Sequence, residues 1–217
     1  MIDFNKLIDN YLHREFRPKK TGRYYPSEIA MCMRKLFYSY KFPRETEADL
    51  VKIFEAGNIM HDFVVDVLKS EKNSEVDLLK SEFPIKLNIN NFIISGRVDD
   101  LLLLKASGKN VLVEVKSCRS LKYINEPLPH NLMQIQFYMF ATQVHDGILL
   151  YIEKNTLQSK VFTIPYDELI SVEAIERFKA LNKFLLESKV PEPEAKLDDR
   201  KKWMCVWCEY RDMCDKE

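Results

Sequence analysis

The stretch GRVDDLLLLKASGKNVLVEVKS, residues 96–117, contains the pattern that decides the fold of this chain. A run of leucines leads into the turn signal Ser-Gly-Lys-Asn at 107–110, and a second apolar run follows it. The two runs predict antiparallel strands joined by a short turn. Alternation along the second strand places Glu114 and Lys116 on the face opposite its three valines.

The hairpin predicts a site with two carboxylates and a lysine. Asp99 lies on the first strand and Glu114 on the second, so pairing of the strands can bring the two side by side. Two adjacent carboxylates repel each other, and a divalent cation such as Mg²⁺ or Mn²⁺ relieves the repulsion. Lys116 can then stabilise charge that develops on a phosphate. The alternative is a structural ion pair of Lys116 with either carboxylate.

The pattern around this hairpin predicts an α/β fold with a central mixed sheet flanked by helices. Helical periodicity extends over 2–14, 46–70, 130–145 and 167–188, and Ser27 is a suitable N-cap for a further helix ending near Tyr40. Strands are predicted over 82–104, with a turn at Asn90-Asn91, and over 111–117, 147–154 and 160–166. Two prolines then open an acidic linker at 192–199.

The whole chain, 1–217, is expected to form one domain. Its parts are an N-terminal helical region at about 1–45, a core at about 46–190 and a cysteine-bearing tail at about 191–217. The longest apolar runs, such as 147–152, are too short to span a bilayer, and the N-terminus is charged where a signal peptide is apolar. A soluble cytoplasmic protein is therefore expected, with no membrane partner.

The formal net charge is zero, but residues 1–41 contain nine basic and four acidic residues. Such a local excess is what contacts to phosphates require. The candidates for weak DNA contacts are Arg23, Arg34 and Lys35 in this region, with Arg119 and Lys122 beside the core. A solvated helical face is the alternative explanation.

The tail contains a second candidate site, because Cys205, Cys208 and Cys214 form a C-x2-C-x5-C pattern. Three clustered thiols indicate a metal site that lacks one ligand, and Cys32 can supply it. Spacing alone does not distinguish zinc from an iron–sulfur cluster. Cys118 is expected to be a small buried or semi-buried side chain. Trp203, Trp207 and Tyr210 are expected to shield the metal, with stacking on the bases of a single strand as the alternative.

Asp99 followed by Glu-x-Lys across a hairpin resembles the core of PD-(D/E)XK nucleases, and the Gly-Arg-Val-Asp sequence at 96–99 resembles their RecB-type branch. In that branch a helix with Gly and His precedes the hairpin and a Gln-x-x-x-Tyr helix follows it. Gly57 and His61 match the first motif, and Gln134 and Tyr138 match the second. The resemblance extends from about Pro26 to Cys214.

The resemblance implies a restriction-endonuclease-like core and gives each residue a role. His61, Asp99, Glu114 and the backbone carbonyl of Val115 would bind Mg²⁺ or Mn²⁺. Lys116 would assist the attacking water, while Gln134 and Tyr138 would position the substrate and Lys116. Neighbours in a strand point in opposite directions, so one of the two adjacent aspartates is expected to face the site. The family pattern selects Asp99, with Asp100 as the fallback.

A remote cysteine with three more near the C-terminus resembles the iron–sulfur module of the CRISPR-associated Cas-four family. This resemblance implies a 4Fe–4S cluster held by Cys32, Cys205, Cys208 and Cys214, with zinc as the alternative. It also implies a metal-dependent exonuclease, with possible endonuclease activity, on single-stranded DNA or overhangs. Its role would be trimming DNA in CRISPR adaptation beside the integrase subunit, in a chain that can self-associate.

Three alternatives remain open at this point, and the weakest is a transcriptional regulator that senses redox through Cys32, Cys205, Cys208 and Cys214. The first is a similar nuclease of recombination, repair or replication, encoded by a mobile element or a virus outside CRISPR. The second is a non-catalytic DNA-binding subunit stapled by a metal, which would not need the acidic positions. Because Asp99, Glu114 and Lys116 are all present, the sequence favours an enzyme.

Overall fold

The structure is a computed structural model and describes residues 1–216. The helices are α1 (Phe4–Leu12), α2 (Met33–Lys41), α3 (Ala48–Lys69), α4 (Pro129–Thr142), α5 (Glu168–Glu187), α6 (Glu194–Leu197), α7 (Trp203–Val206) and α8 (Arg211–Cys214). The strands are β1 (Arg23–Tyr24), β2 (Val76–Ile89), β3 (Phe92–Leu104), β4 (Lys109–Cys118), β5 (Asp146–Glu153) and β6 (Ser159–Pro165). The predicted α/β class is confirmed.

The strands form one mixed sheet in which β3 has the most neighbours. It pairs antiparallel with β2 along its length, and on its other edge with both β1 and β4. β4 pairs parallel with β5, which pairs antiparallel with β6. The predicted turn at Asn90-Asn91 joins β2 and β3, and Asn90 has a φ of 49°, which asparagine tolerates well.

The pairing of β3 with β4 ends before either strand does. Its register extends from Leu104 opposite Lys109 to Asp100 opposite Val113, and Asp99 lies just past the last pair. Beyond this point β4 continues beside β5, with Lys116 opposite Tyr151. The sheet therefore opens between β3 and β4 where the acidic residues lie.

Side chains on the two faces of the sheet belong to two separate clusters. Leu112 belongs to the larger one, together with buried residues of α2, α4 and α5. Val113 and Val115 belong to the smaller one, together with Val64 of α3. The alternation predicted for this strand is confirmed, and β4 is covered on both faces.

The helix predicted to start at Ser27 begins instead at Met33, so this prediction is wrong. A short 3₁₀ turn spans Pro26–Glu28, and the segment after it is irregular. The Arg177 side chain explains the break, because it donates hydrogen bonds to two backbone carbonyls there, those of Ile29 at 2.8 Å and Met31 at 2.8 Å. Cys32 consequently lies in the N-cap position of α2.

The acidic stretch 192–199 is also not a free linker. It contains α6, whose Ala195 is buried, and Glu194 forms an ion pair with Arg177 at 2.7 Å. The Glu194 carboxylate also accepts a hydrogen bond from the Met33 backbone N–H at 2.8 Å. The tail is thus fastened to α5 and α2. No helix within residues 1–216 is long and apolar enough to cross a membrane.

Candidate active site

The candidate site lies where β3 and β4 separate. Asp99 lies just beyond the last residue of β3 that pairs with β4. Here the Asp99 side chain contacts β4, because its Oδ2 accepts a hydrogen bond from the Val115 N–H at 2.8 Å. The opening of the sheet thus places a carboxylate against the backbone of the strand that also holds Glu114 and Lys116.

A continuous chain of hydrogen bonds connects four of the predicted residues. Lys116 Nζ donates to Glu114 Oε1 at 2.7 Å and to Gln134 Oε1 at 3.1 Å. Gln134 Nε2 in turn donates to the Tyr138 hydroxyl at 3.3 Å. Glu114 is 2% exposed and Lys116 is 26% exposed, so this chain reaches solvent at the lysine. The predicted one-turn spacing of Gln134 and Tyr138 in a helix is confirmed.

Both adjacent aspartates take part in the polar network, from different sides. Asp99 contacts the backbone of β4, whereas Asp100 shares the face of Val113 and contacts α3. Asp100 Oδ2 lies 3.1 Å from His61 Nε2, and Asp100 is fully buried. His61 therefore reaches the acidic group through the aspartate that the sequence pattern did not select.

Burial sets the charge balance of the site. It raises the pKa of Glu114 well above its usual range, and the nearby Asp99 charge raises it further against the opposing effect of Lys116. Burial likewise raises the pKa of Asp99. It would lower the pKa of Lys116, but the Glu114 and Asp99 charges outweigh this effect and the pKa is raised. The hydrogen bond to Asp100 raises the pKa of His61.

Two buried carboxylate oxygens in the site have no hydrogen-bond partner, Asp100 Oδ1 and Glu114 Oε2. Unpartnered buried acceptors are uncommon, and a hard cation is one group that satisfies them. No group of three or more His, Cys, Asp or Glu side chains is arranged to hold a metal ion within the described part of the chain. The two unpartnered carboxylate oxygens are donors of the type that a divalent cation prefers, while the ligand set given above stays a prediction.

Gly96 has a steric role in the site. A Cβ atom there would lie 3.1 Å from the Tyr138 hydroxyl and 3.0 Å from Cδ of Pro26. Gly57 differs, because a Cβ would meet only Ser117 Oγ at 3.6 Å, which is ordinary contact. The glycine before the acidic pair is therefore needed for Tyr138 to approach β3.

The four cysteines predicted to bind metal line one cavity of about 320 Å³. Cys32 reaches it from the start of α2, and Cys205, Cys208 and Cys214 reach it from the tail. Arg34 and Lys35 also line this cavity, so the structure places these two predicted DNA contacts beside the cysteines.

The aromatic residues of the tail only partly match the predicted shield. Tyr210 lines the cavity, whereas Trp203 and Trp207 do not, and they are 51% and 91% exposed. The expectation that both tryptophans cover the cysteines is therefore wrong. Cys118 is half-buried.

The other three predicted DNA contacts are exposed. Arg23 donates to Ser95 Oγ at 3.0 Å, next to the site strand. Arg119 and Lys122 lie in the segment that follows β4.

The residues that fix the start of α4 were not among the predicted site residues. The Tyr151 hydroxyl accepts hydrogen bonds from the Leu128 N–H at 3.0 Å and from Asn131 Nδ2 at 2.9 Å. Tyr151 is opposite Lys116 in the parallel β4–β5 pair, so it supports the helix that holds Gln134. The pairing of β4 with β5 across a helix is a tertiary feature, and nothing in the local pattern points to it.

Comparison with known proteins agrees with this geometry. Residues 60–215 match the PD-(D/E)XK nuclease superfamily. The chain is 26% identical over 200 residues to the CRISPR-associated exonuclease Cas4 of Saccharolobus solfataricus, covering 90% of this chain and 89% of that protein. The predicted resemblance is thereby confirmed, and the chain is a homologue of a Cas4 exonuclease.

Two solved structures show the same fold. The crystal structure of SSO0001 has a TM-score of 0.62 and 24% identity, covering 97% of this chain and 92% of that one. LHK-Exo in complex with dAMP has a TM-score of 0.54 and 15% identity, covering 77% of this chain and 90% of that one. LHK-Exo is an alkaline exonuclease from Laribacter hongkongensis. The match over 60–215 includes His61, Asp99, Asp100, Glu114, Lys116, Gln134 and Tyr138. The chain belongs to the PD-(D/E)XK nuclease superfamily.

Proposed function

We propose that this protein is a metal-dependent DNA exonuclease that acts on single-stranded DNA or on overhangs, with possible endonuclease activity. The observation that carries the proposal is the buried Glu114–Lys116–Gln134 chain beside two unpartnered carboxylate oxygens. A structural ion pair would not need an unpartnered acceptor on Glu114. The similarity to a protein named as an exonuclease and the dAMP complex of LHK-Exo support the same activity and substrate class.

Mg²⁺ or Mn²⁺ is the proposed cofactor of this site. Its ligands would be Asp99, Glu114 and His61 with the Val115 carbonyl, and Asp100 is the fallback for Asp99. When bound, the cation supplies Lewis-acid activation of water and charge neutralisation at phosphorus. Two buried carboxylates with raised pKa values are stabilised in their charged forms by such an ion.

The remaining residues act on the substrate and on each other. Lys116 is the partly exposed end of the hydrogen-bonded chain, so its ammonium group can contact a phosphate oxygen or orient the attacking water. Gln134 holds Lys116 from α4, and Tyr138 holds Gln134 in turn. Exposed Arg23, Arg119 and Lys122 are proposed to contact phosphates along the strand.

The cysteine cavity is proposed to hold a 4Fe–4S cluster, with zinc as the alternative. Four cysteines line one cavity, and thiolate sulfur is the donor type of either metal site. A bound cluster would join α2 to the tail, so residues 1–217 would act as a single domain. Metal content by elemental analysis separates iron from zinc. Cys205→Ser should lose the metal, whereas the matched variant Cys118→Ser should keep it.

The proposed biological role is trimming of DNA in CRISPR adaptation together with the integrase subunit, in the cytoplasm. The Cas4 name of the relative is the support for this role. A recombination, repair or replication nuclease outside CRISPR is the second candidate. The third candidate is a non-catalytic DNA-binding subunit. Such a subunit would have no functional need for the buried Glu114–Lys116 pair.

Self-association is proposed as well. The chain exposes 13787 Å², whereas a compact monomer of 25.7 kDa would expose roughly 10,400 Å². Helix α1 contributes an exposed apolar stripe of Phe4, Leu7, Ile8 and Tyr11. A second copy that covers this stripe would bring the exposed area closer to the usual range. Light scattering of the protein and of Leu7→Lys tests this directly.

The test of the nuclease proposal is a time course on end-labelled single-stranded DNA with Mg²⁺, with Mn²⁺ and with EDTA. Cleavage should require the metal and should be lost in Glu114→Gln, which keeps the shape of the side chain. Glu173→Gln, an exposed position on α5, is the matched control. Metal-independent cleavage, or full activity of Glu114→Gln, would contradict the proposal.

A further inference from the structure

Trp203 is an exposed aromatic residue whose only described ring contact lies towards the candidate active site. It is 51% exposed and belongs to α7 in the cysteine-bearing tail. Met204, Cys205 and Val206 line the cysteine cavity, whereas Trp203 does not. Its ring lies instead 5.7 Å from the His130 ring, centroid to centroid, with an angle of 45° between the planes.

His130 connects this tryptophan to the catalytic lysine. It lies in the first turn of α4, one turn before Gln134, and residues four apart share a helix face. Gln134 Oε1 accepts the hydrogen bond from Lys116 Nζ at 3.1 Å. In agreement with this proximity, burial and then the positive charge of Lys116 lower the pKa of His130. The Trp203–His130 pair therefore lies one helical turn from Gln134, the residue that contacts Lys116.

The chemistry of this arrangement fits a nucleobase. Lys116 is the exposed end of the polar chain, so a phosphate bound there places a flanking nucleotide close to His130. Single-strand binding sites commonly combine a cation for the phosphate with an aromatic side chain for the base. Stacking does not depend on sequence, because every base has a π-face. One ring contact anchors the indole and leaves half of its surface free for a base.

We propose that Trp203, held in place by His130, stacks on a nucleobase of a single DNA strand whose adjacent phosphate is at Lys116. The ligand is thus an unpaired base, and a base within an intact duplex would have to leave its stack to reach the indole. Trp203 is the stacking residue and His130 is a positioning residue. The inference rests on the proposed nuclease function and names a base subsite for that same site.

The test separates base stacking from phosphate contacts by using two strands of equal length. One is a fluorescently labelled oligothymidylate, and the other has the same backbone with abasic residues. Affinity is measured by anisotropy in EDTA, so that neither strand is cleaved. The wild type should prefer the thymidylate strand. Trp203→Ala should weaken thymidylate binding by about ten-fold while leaving abasic-strand binding unchanged.

Control variants keep the outcome interpretable. Trp207→Ala removes the second tryptophan, which is 91% exposed and also near the cysteines, and it should keep the base preference. Trp203→Phe keeps an aromatic ring and should retain part of the preference, which shows that the tail is still folded. His130→Ala should lose part of the preference through loss of the ring that orients Trp203.

Four results would overturn the stacking inference. These are no loss of thymidylate binding in Trp203→Ala, equal losses on both strands in Trp203→Ala, the same loss in Trp207→Ala, or no base preference in the wild type. A parallel cleavage assay keeps this separate from the nuclease proposal. If the protein cleaves DNA with Mg²⁺ or Mn²⁺ but has no base preference, only the stacking inference is contradicted. If the protein shows a Trp203-dependent base preference but cleaves no DNA, only the nuclease proposal is contradicted.

Discussion

The carboxylate–lysine site and the cysteine cavity both unite distant segments of the chain, but they do so by different means. In the first, hydrogen bonds connect β4 directly to α4, and the sheet itself fixes the positions. In the second, the walls are held by ties around the cavity, among them the Arg177–Glu194 and Arg44–Asp212 ion pairs. The first site is part of the core, whereas the second depends on how firmly the tail is attached.

The largest expected effect concerns the core site and the choice between its two aspartates. Asp99→Asn should reduce cleavage by about 1,000-fold, or about 4 kcal/mol in activation free energy, because the charge beside Glu114 is removed. Asp100→Asn should reduce cleavage less, since Asp100 contacts His61 rather than β4. Initial rates with saturating Mn²⁺ measure both. The reverse ranking would assign the central role to Asp100.

The next largest effect concerns the attachment of the tail. The Arg177 side chain is 14% exposed. It forms an ion pair with Glu194 and donates hydrogen bonds to two backbone carbonyls. Removing one partner of such a pair leaves a largely buried charge, so Arg177→Ala should cost about 3 kcal/mol of unfolding free energy. Denaturant unfolding measures the loss. The matched control is Lys179→Ala, which removes an exposed ion pair with Glu176 on the same helix. It should change the unfolding free energy little.

The same ion pair gives a pH dependence with a defined sign. Burial would raise the pKa of Glu194, but Arg177 outweighs it and holds this pKa below its usual range. A depressed folded-state pKa means that the pair stabilises the protein above the unfolded value, about 4.3. This stability is lost as the pH falls through the folded-state pKa. The acid-dependent loss should be smaller in Arg177→Ala than in the wild type.

A smaller effect distinguishes the two motif glycines. Gly96→Ala should destabilise the protein by about 2 kcal/mol, because the new methyl group crowds Pro26 and Tyr138. Gly57→Ala should be neutral or stabilising by up to about 1 kcal/mol, since a Cβ fits there and alanine favours the helix. Thermal melting measures both. Equal destabilisation by the two variants would contradict the steric explanation.

The smallest expected effect is at the surface of the tail. Arg44 contacts Asp212 at 3.1 Å, with side chains that are 40% and 58% exposed, and it lies 4.8 Å from the Tyr210 ring centroid. Screening by solvent makes such contacts weak, so Arg44→Ala should lower the melting temperature only slightly. A collapse of the tail in this variant, seen as rapid proteolysis after residue 190, would mean that surface ties alone hold the cysteine cavity together.

Much of the fold could be predicted because it depends on local sequence patterns. The hairpin at 96–117, α3 and the Gln134–Tyr138 helix all follow from periodicity and turn chemistry, and all are confirmed. The errors lie where a distant side chain competes with local preference. Arg177 is about 150 positions from the carbonyls to which it donates hydrogen bonds, and no local signal near Ser27 reveals it. The same arginine turns a predicted linker into a packed helix.

The sequence by itself determined that Glu114 and Lys116 share one face of a strand and that Gln134 and Tyr138 share one face of a helix. It also predicted that four cysteines come together, and the structure places all four around one cavity. Only the tertiary structure decided that the sheet opens at Asp99, that His61 meets Asp100, and that Trp203 turns from the cysteines towards His130. Periodicity fixes which side chains share a face of one element. Contacts between elements depend instead on packing among residues far apart in the chain, where every small shift changes the partner.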